Sequence, residues 1–129
     1  MDILGIGVDI VEIARFDGAM QRQGQKFLDR LFLPSEQAFC KPQHSPARCY
    51  SARFAAKEAV SKALGTGIGA DIGWRDIELG RKSTGQPFII LHGRGAETAA
   101  GKGITEILIS LSHSEHYAVA NAVAIGRRP

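Results

Sequence analysis

Between Cys49 and Leu64 the chain places alanine at positions 52, 55, 56, 59 and 63. Alanine has the highest intrinsic helix propensity, so this stretch is the clearest helix in the sequence. Tyr50, Phe54 and Leu64 are its bulky anchors, and Gly65-Thr66-Gly67-Ile68-Gly69 supplies a glycine-rich C-terminal cap region. Close-packed small side chains make this helix the element that the rest of the fold must accommodate.

The flanking segments read as a mixture of strands and short helices. Ile3–Ile10 is β-rich, and Gly5 and Gly7 within it point to a bulge or a close backbone approach. From Val11 to about Gln23 the spacing of Ile13, Phe16 and Met20 is helical, with Gly24 as a cap. Pro34-Ser35-Glu36 marks a short helix with Ser35 as N-cap, ended by Pro42, and residues 43–47 form a loop. The second half predicts strands at Ile77–Leu79 and Pro87–His92, separated by a turn at Lys82–Gln86. A short helix at Gly95–Gly101 follows. Glu106–Ser112 and Tyr117–Ile125 then form an antiparallel hairpin around Ser114-Glu115. With no repeat, low-complexity segment or linker, residues 1–129 read as one α+β domain.

Composition narrows the function classes. At 44% apolar residues the chain can build a core, although a domain this small gains from oligomerisation. The net charge of +3 is mildly basic and fits an acidic partner or a phosphate ligand. The basic residues form no dense run, which argues against nucleic acid. Cys40 and Cys49 make neither a C-x-x-C nor a zinc-like set, so two free thiols in a reducing cytosol are expected. The apolar opening from Ile3 to Ile13 is broken by Gly5, Gly7, Asp9 and Glu12, so no signal peptide is expected. No run approaches the roughly 20 apolar residues of a membrane span, so a cytoplasmic protein is expected.

Two acids stand out. Asp9 interrupts an apolar strand, where a carboxylate is costly to bury unless it is paired or binds a metal. Glu58 and Lys62 are four apart on the alanine-rich helix and share a face with Phe54. An exposed strand end and a surface ion pair are the plain readings. The sharper reading joins them: Asp9 and Glu58 supply the one or two carboxylates that Mg²⁺ uses when phosphates and water complete its shell. Lys62, one turn further on, then meets a phosphate as a point charge.

Other patterns carry less. Gly65-x-Gly67-x-Gly69-x-Asp71 follows a helix, whereas the dinucleotide fingerprint follows a strand. Ser110-Leu111-Ser112-His113 lacks a nucleophile elbow, which leaves His113 as a candidate phosphate contact. Arg15, Arg22 and Lys26 make one stripe if the first helix runs far enough. They are either a solvated face or a docking stripe for an acidic helix.

Two segments together carry a resemblance. Gly5-Ile6-Gly7-Val8-Asp9-Ile10-Val11-Glu12-Ile13-Ala14-Arg15-Phe16 resembles the first motif of holo-acyl-carrier-protein synthases, the short bacterial phosphopantetheinyl transferases. The stretch Arg53-Phe54-Ala55-Ala56-Lys57-Glu58-Ala59-Val60-Ser61-Lys62-Ala63-Leu64-Gly65-Thr66-Gly67-Ile68-Gly69 resembles the second. Gly85-Gln86-Pro87 and the Ser110–His113 run are weaker echoes, and Leu33 departs from the common threonine. The resemblance implies an α+β fold, with a small, mostly antiparallel sheet packed on a long helix, and homotrimers with interfacial sites. It implies Asp9 and Glu58 as Mg²⁺ ligands, Lys62 beside the pyrophosphate, and Arg53, His113 and the Gly65-Thr66-Gly67 turn against coenzyme A. Arg15 and Arg22 match arginines that engage the acidic apo-acyl carrier protein.

The activity so implied is transfer of 4'-phosphopantetheine from coenzyme A to a carrier serine, with adenosine 3',5'-bisphosphate leaving. Lys62 steadies the departing phosphate, and Glu58 is a candidate to accept the serine proton. No protein nucleophile is needed. The alternative is a non-catalytic module that binds an acidic protein or nucleic acid through Arg15 and Arg22, which leaves Asp9 and Glu58 unexplained.

Overall fold

The computed structural model describes residues Met1–Pro129. Five strands are present: β1 (Asp2–Glu12), β2 (Ile77–Arg81), β3 (Pro87–Leu91), β4 (Ile104–His113) and β5 (Tyr117–Gly126). There are also five helices: α1 (Ile13–Gln23), α2 (Gln25–Leu31), α3 (Pro34–Cys40), α4 (Pro46–Leu64) and α5 (Gly93–Gly101). β5 lies between β1 and β4 in an antiparallel three-stranded sheet, and β2 and β3 form a separate hairpin.

Small residues set the spacing between α4 and the sheet. Ala55, Ala56, Ala59 and Ala63 face Ala120, Ala122 and Ala124 of β5 in one buried cluster, most with no exposed surface. A buried methyl contributes only about 0.8 kcal/mol, so these alanines give closeness more than hydrophobic energy. Gly5 and Gly7 of β1 complete the effect. A Cβ on Gly5 would collide with the Ala63 carbonyl, and one on Gly7 with that of Ala59. The close approach expected at these glycines is therefore the approach of α4.

A second cluster joins α1, α2 and α3 to the first half of α4. Phe16, Leu31, Phe32, Cys40 and Tyr50 are buried there, with Phe27, Phe54 and Trp74 against them. Phe54 stacks on Trp74 at 4.9 Å between centroids, and Phe16 meets Phe27 and Phe54 at 5.4 Å each. A buried ion pair links this cluster to the β2–β3 hairpin. Lys57 Nζ donates to Glu36 Oε1 at 2.7 Å and to the carbonyls of Trp74 and Ile77, while Glu36 also accepts from the amides of Leu33 and Leu79.

Four expectations need correction. Leu33, not Ser35, is the N-cap of α3, because Pro34 presets the first helical residue and Glu36 reaches back to the Leu33 amide at 2.9 Å. α4 begins at Pro46 rather than Cys49, with the Ser45 hydroxyl accepting from Arg48 N. α2 has no counterpart in the expected elements: Gly24, at φ 68°, ends α1 and turns the chain into a second helix. The two cysteines are not free thiols. Cys40 at the end of α3 and Cys49 near the start of α4 are a disulfide, with Cα atoms 5.4 Å apart. The Lys41–Ser45 turn folds the chain back and brings them into the range a disulfide needs.

Candidate functional site

Alternation along β1 decides which side chains meet α4. Ile6, Val8 and Ile10 point outward and are well over half exposed, whereas Gly5, Gly7 and Asp9 face the helix. Because the glycines let α4 come close, Lys62 Nζ reaches both Asp9 Oδ1, at 3.2 Å, and the Val8 carbonyl, at 3.0 Å. Glu58 lies one turn before Lys62. Asp9 and Glu58 line one cavity of about 510 Å³, walled on its apolar side by Val11, Phe16, Phe27 and Phe54. Burial, and next the negative charge of Asp9, push the Glu58 carboxyl above its ordinary range, and Lys62 draws it partly back. The chain thus brings together the two acids and the lysine singled out from the sequence.

This donor set suits a hard divalent cation. Two carboxylates from different elements face one cleft, and their mutual repulsion is what a cation would relieve. No group of three potential ligands is present, so phosphate oxygens and water would have to complete the shell.

Arg53 and His113 lie elsewhere. Five residues of helix rotate by about 140°, so Arg53 and Glu58 leave α4 on different faces. Arg53 and His113 line a second cavity of about 420 Å³ with His44, Arg48 and Arg81. Arg53 is 2% exposed, and its Nε has no hydrogen-bond partner. The guanidinium packs over Phe39, 4.4 Å from the ring centroid. Burial first, and then the like charge of Arg81, draw its pKa down to about 10. A buried cation with an orphan donor, facing a second cation, is a place for an anion.

Gly65, Thr66 and Gly67 follow Lys62 directly. Gly65 (φ 82°) and Gly67 (φ 66°) adopt the left-handed conformation that closes α4, and the Gly65, Thr66 and Gly67 amides bond the last carbonyls of that helix. These three residues line neither cavity. Arg15 lines the cleft of Asp9 and Glu58, and Arg22 is exposed two turns along α1. Lys26 does not continue their stripe, because it lies beyond Gly24 on α2. Arg48, Arg81 and the Lys57–Glu36 pair were not singled out as site or structural residues. Arg48 and Arg81 are distant in sequence, and only the folding of β2 beside α4 brings them to one cavity.

Residues 5–122 match the 4'-phosphopantetheinyl transferase superfamily. A holo-[acyl-carrier-protein] synthase of Desulforudis audaxviator is 48% identical over 124 residues, covering 96% of this chain and 94% of that protein. The crystal structure of the holo-[acyl-carrier-protein] synthase of Neisseria meningitidis superposes with a TM-score of 0.90 at 33% identity, covering 96% of this chain and 99% of that one. That of Helicobacter pylori in complex with coenzyme A gives a TM-score of 0.83 at 36% identity, covering 93% and 99%.

Proposed function

The chain belongs to the holo-acyl-carrier-protein synthases of the 4'-phosphopantetheinyl transferase superfamily, and from this premise we propose the roles of its two cavities. The enzyme transfers 4'-phosphopantetheine from coenzyme A to a serine of apo-acyl carrier protein, a step that serves fatty acid biosynthesis. The observation that carries the site assignment is the convergence of Asp9 from β1 and Glu58 from α4 on one cleft, with Lys62 paired to Asp9 at 3.2 Å.

Asp9 and Glu58 would hold Mg²⁺, which would supply neutralisation of charge on the coenzyme A diphosphate. Lys62, half exposed and tied to Asp9, turns its ammonium to the departing phosphate and offsets the charge that grows there. Glu58, which faces the cleft, takes the proton of the carrier serine as its hydroxyl attacks the β-phosphate. Adenosine 3',5'-bisphosphate leaves. The Gly65-Thr66-Gly67 turn, just past Lys62, lies along the nucleotide.

Coenzyme A carries one more phosphate, on the 3' carbon of its ribose. The cavity of Arg53 and His113 supplies cations for it, with the Arg53 guanidinium in its wall beside Arg48 and Arg81. In one chain this cavity is separate from the cleft of Asp9 and Glu58, which fits sites shared between subunits. A homotrimer also accounts for the outer sheet face. Ile6, Val8 and Ile10 are 70%, 58% and 63% exposed, and β5 carries the apolar pattern on to Leu108 of β4 through the pairs Ile6–Val123 and Leu108–Val123. Such a patch calls for a partner surface. Arg15 and Arg22 dock the acidic carrier. No helix is long and apolar enough to cross a membrane. We place the reaction in the cytoplasm.

Mass spectrometry of an apo carrier protein incubated with coenzyme A, Mg²⁺ and this protein tests the assignment. The expected result is one phosphopantetheine adduct on the carrier serine, abolished by a chelator. Full transfer by an Asp9→Asn, Glu58→Gln double variant would remove the carboxylates from the reaction.

A further inference from the structure

The Cys40–Cys49 disulfide takes no part in the chemistry above, yet it stands in the wall of the cationic cavity. Cys49 lines that cavity directly, and so do Gln43, His44 and Ser45 from the five-residue turn that the disulfide closes. Gln43 is bonded to the Cys40 and Phe39 carbonyls, whereas His44 makes no backbone hydrogen bond, so beyond Gln43 the turn leans on the disulfide and on the Ser45 cap of α4. Arg53, one helical turn beyond Cys49, points its Nη1 at the Cys49 sulfur at 3.4 Å. We infer that the Cys40–Cys49 pair is a redox-sensitive clasp, which when closed shapes this cavity for a ligand phosphate and when opened by a dithiol weakens that binding. The inference rests on the reading of the cavity as a phosphate site.

The geometry sets the order of events. Cys40 is fully buried, whereas Cys49 is partly open to the cavity, so an external thiolate attacks the Cys49 sulfur. The Cys40–Cys49 bond breaks, and Cys40 leaves as a thiolate that takes up a proton. The second thiolate of the dithiol then attacks its own sulfur in the mixed disulfide and releases Cys49 as a thiolate. Two electrons pass from the dithiol, which ends as a disulfide, to the cysteines. Two consequences follow, and both oppose phosphate binding. The Gln43–Ser45 segment loses its covalent tether, and Arg53 gains an anionic sulfur beside its guanidinium. A neighbouring arginine favours the thiolate form of a cysteine, so the sulfur competes with phosphate for the same guanidinium. Disulfides in reducing compartments are usually of this transient, sensing kind.

Three measurements on the whole protein test this. Oxidised protein, dithiothreitol-reduced protein and a Cys40→Ala, Cys49→Ala variant are titrated with adenosine 3',5'-bisphosphate. Hydrogen exchange is followed in residues 41–45, and alkylation with mass spectrometry counts free thiols. Reduction should free two thiols, speed exchange in the turn, and weaken bisphosphate binding about tenfold, the loss expected when one charge-assisted hydrogen bond is given up. The double variant, with no tether and no thiolate, should fall between the two forms. If that variant does not fold, the reduced wild type still decides. Equal affinity of oxidised and reduced protein, or an exchange rate in the turn that ignores reduction, overturns the clasp. If the turn loosens on reduction but no form binds the bisphosphate, the phosphate reading of the cavity fails instead, and the control of binding falls with it.

Discussion

Lys62 Nζ and Asp9 Oδ1 lie 3.2 Å apart across 53 positions of sequence, and that contact depends on Gly5 and Gly7, which let α4 approach β1. The pair is half exposed at its lysine end, so its worth to folding is small, about 0–1 kcal/mol. Its value is positional. Lys62→Met should therefore leave urea unfolding nearly unchanged while lowering kcat by about 100-fold, the usual cost of losing one preorganised charge at a developing anion. A large fall in stability with unchanged kcat would assign Lys62 to the fold and not to the reaction.

Glu58 predicts a trade between stability and activity. Its carboxyl is raised in the folded protein by burial and then by Asp9. The native state thus binds the Glu58 proton more tightly than the unfolded chain does. Its contribution to stability is full below the ordinary carboxylate value and is lost as pH rises through the folded value. At neutral pH without metal, Glu58→Gln should melt higher than wild type. Mg²⁺ should raise the melting temperature of wild type and not of the variant. Thermal scans with and without Mg²⁺ check both. An Mg²⁺ shift that survives in Glu58→Gln removes Glu58 from the metal site.

Much of this arrangement was legible before any coordinates. Alanine spacing gave α4, and an acid inside an apolar strand marked Asp9. The i, i+4 pair of Glu58 and Lys62 needs only helical geometry. What stayed hidden was set by tertiary contact. Glu36 and Lys57 are 21 residues apart and look like ordinary surface charges until Trp74, Ile77 and Leu79 enclose them. The Cys40–Cys49 link depends on a turn with no strong signature, and compartment arguments pointed the other way. The apolar outer face of β1 was read only as part of a strand. Alternation gives the two faces of a strand but does not say which one the helix takes, and here glycine, not the larger side chains, chose it.

Gly7→Ala tests that choice. Its Cβ would meet the Ala59 carbonyl, a backbone atom that cannot rotate away. The helix must then move off the sheet, at a cost of about 1–3 kcal/mol or more. The same shift carries Glu58 and Lys62 away from Asp9, so activity should fall further than the loss of folded protein explains. Urea titration beside kcat measured on the folded fraction separates the two effects. Full activity in a stable Gly7→Ala protein would mean that the close approach is not needed.

The buried pair gives an asymmetric expectation. Lys57→Met leaves Glu36 without its cation in a site with no exposure, and should cost about 3–5 kcal/mol. Burial already draws the Lys57 ammonium toward its neutral form, and Glu36 opposes that shift. Glu36→Gln keeps the acceptor for the Leu33 or the Leu79 amide and should cost less. A double variant should be less unstable than the sum of the singles. Additive losses in a denaturation cycle would show that the two charges act independently.

Arg53 separates the two cavities by function. If its guanidinium meets the 3'-phosphate, Arg53→Ala should raise the KM for coenzyme A about tenfold or more, as when a charge-assisted hydrogen bond is lost, with kcat little changed. With 3'-dephospho-coenzyme A as donor the substitution should matter little, because the group that Arg53 meets is absent. Relief of the repulsion from Arg81 and loss of the stacking on Phe39 act on both donors alike, so they cancel in the ratio. The test is therefore the ratio of kcat/KM for the two donors in each protein. Wild type should prefer coenzyme A strongly and Arg53→Ala should not, whereas an unchanged preference would move the 3'-phosphate to another part of the surface.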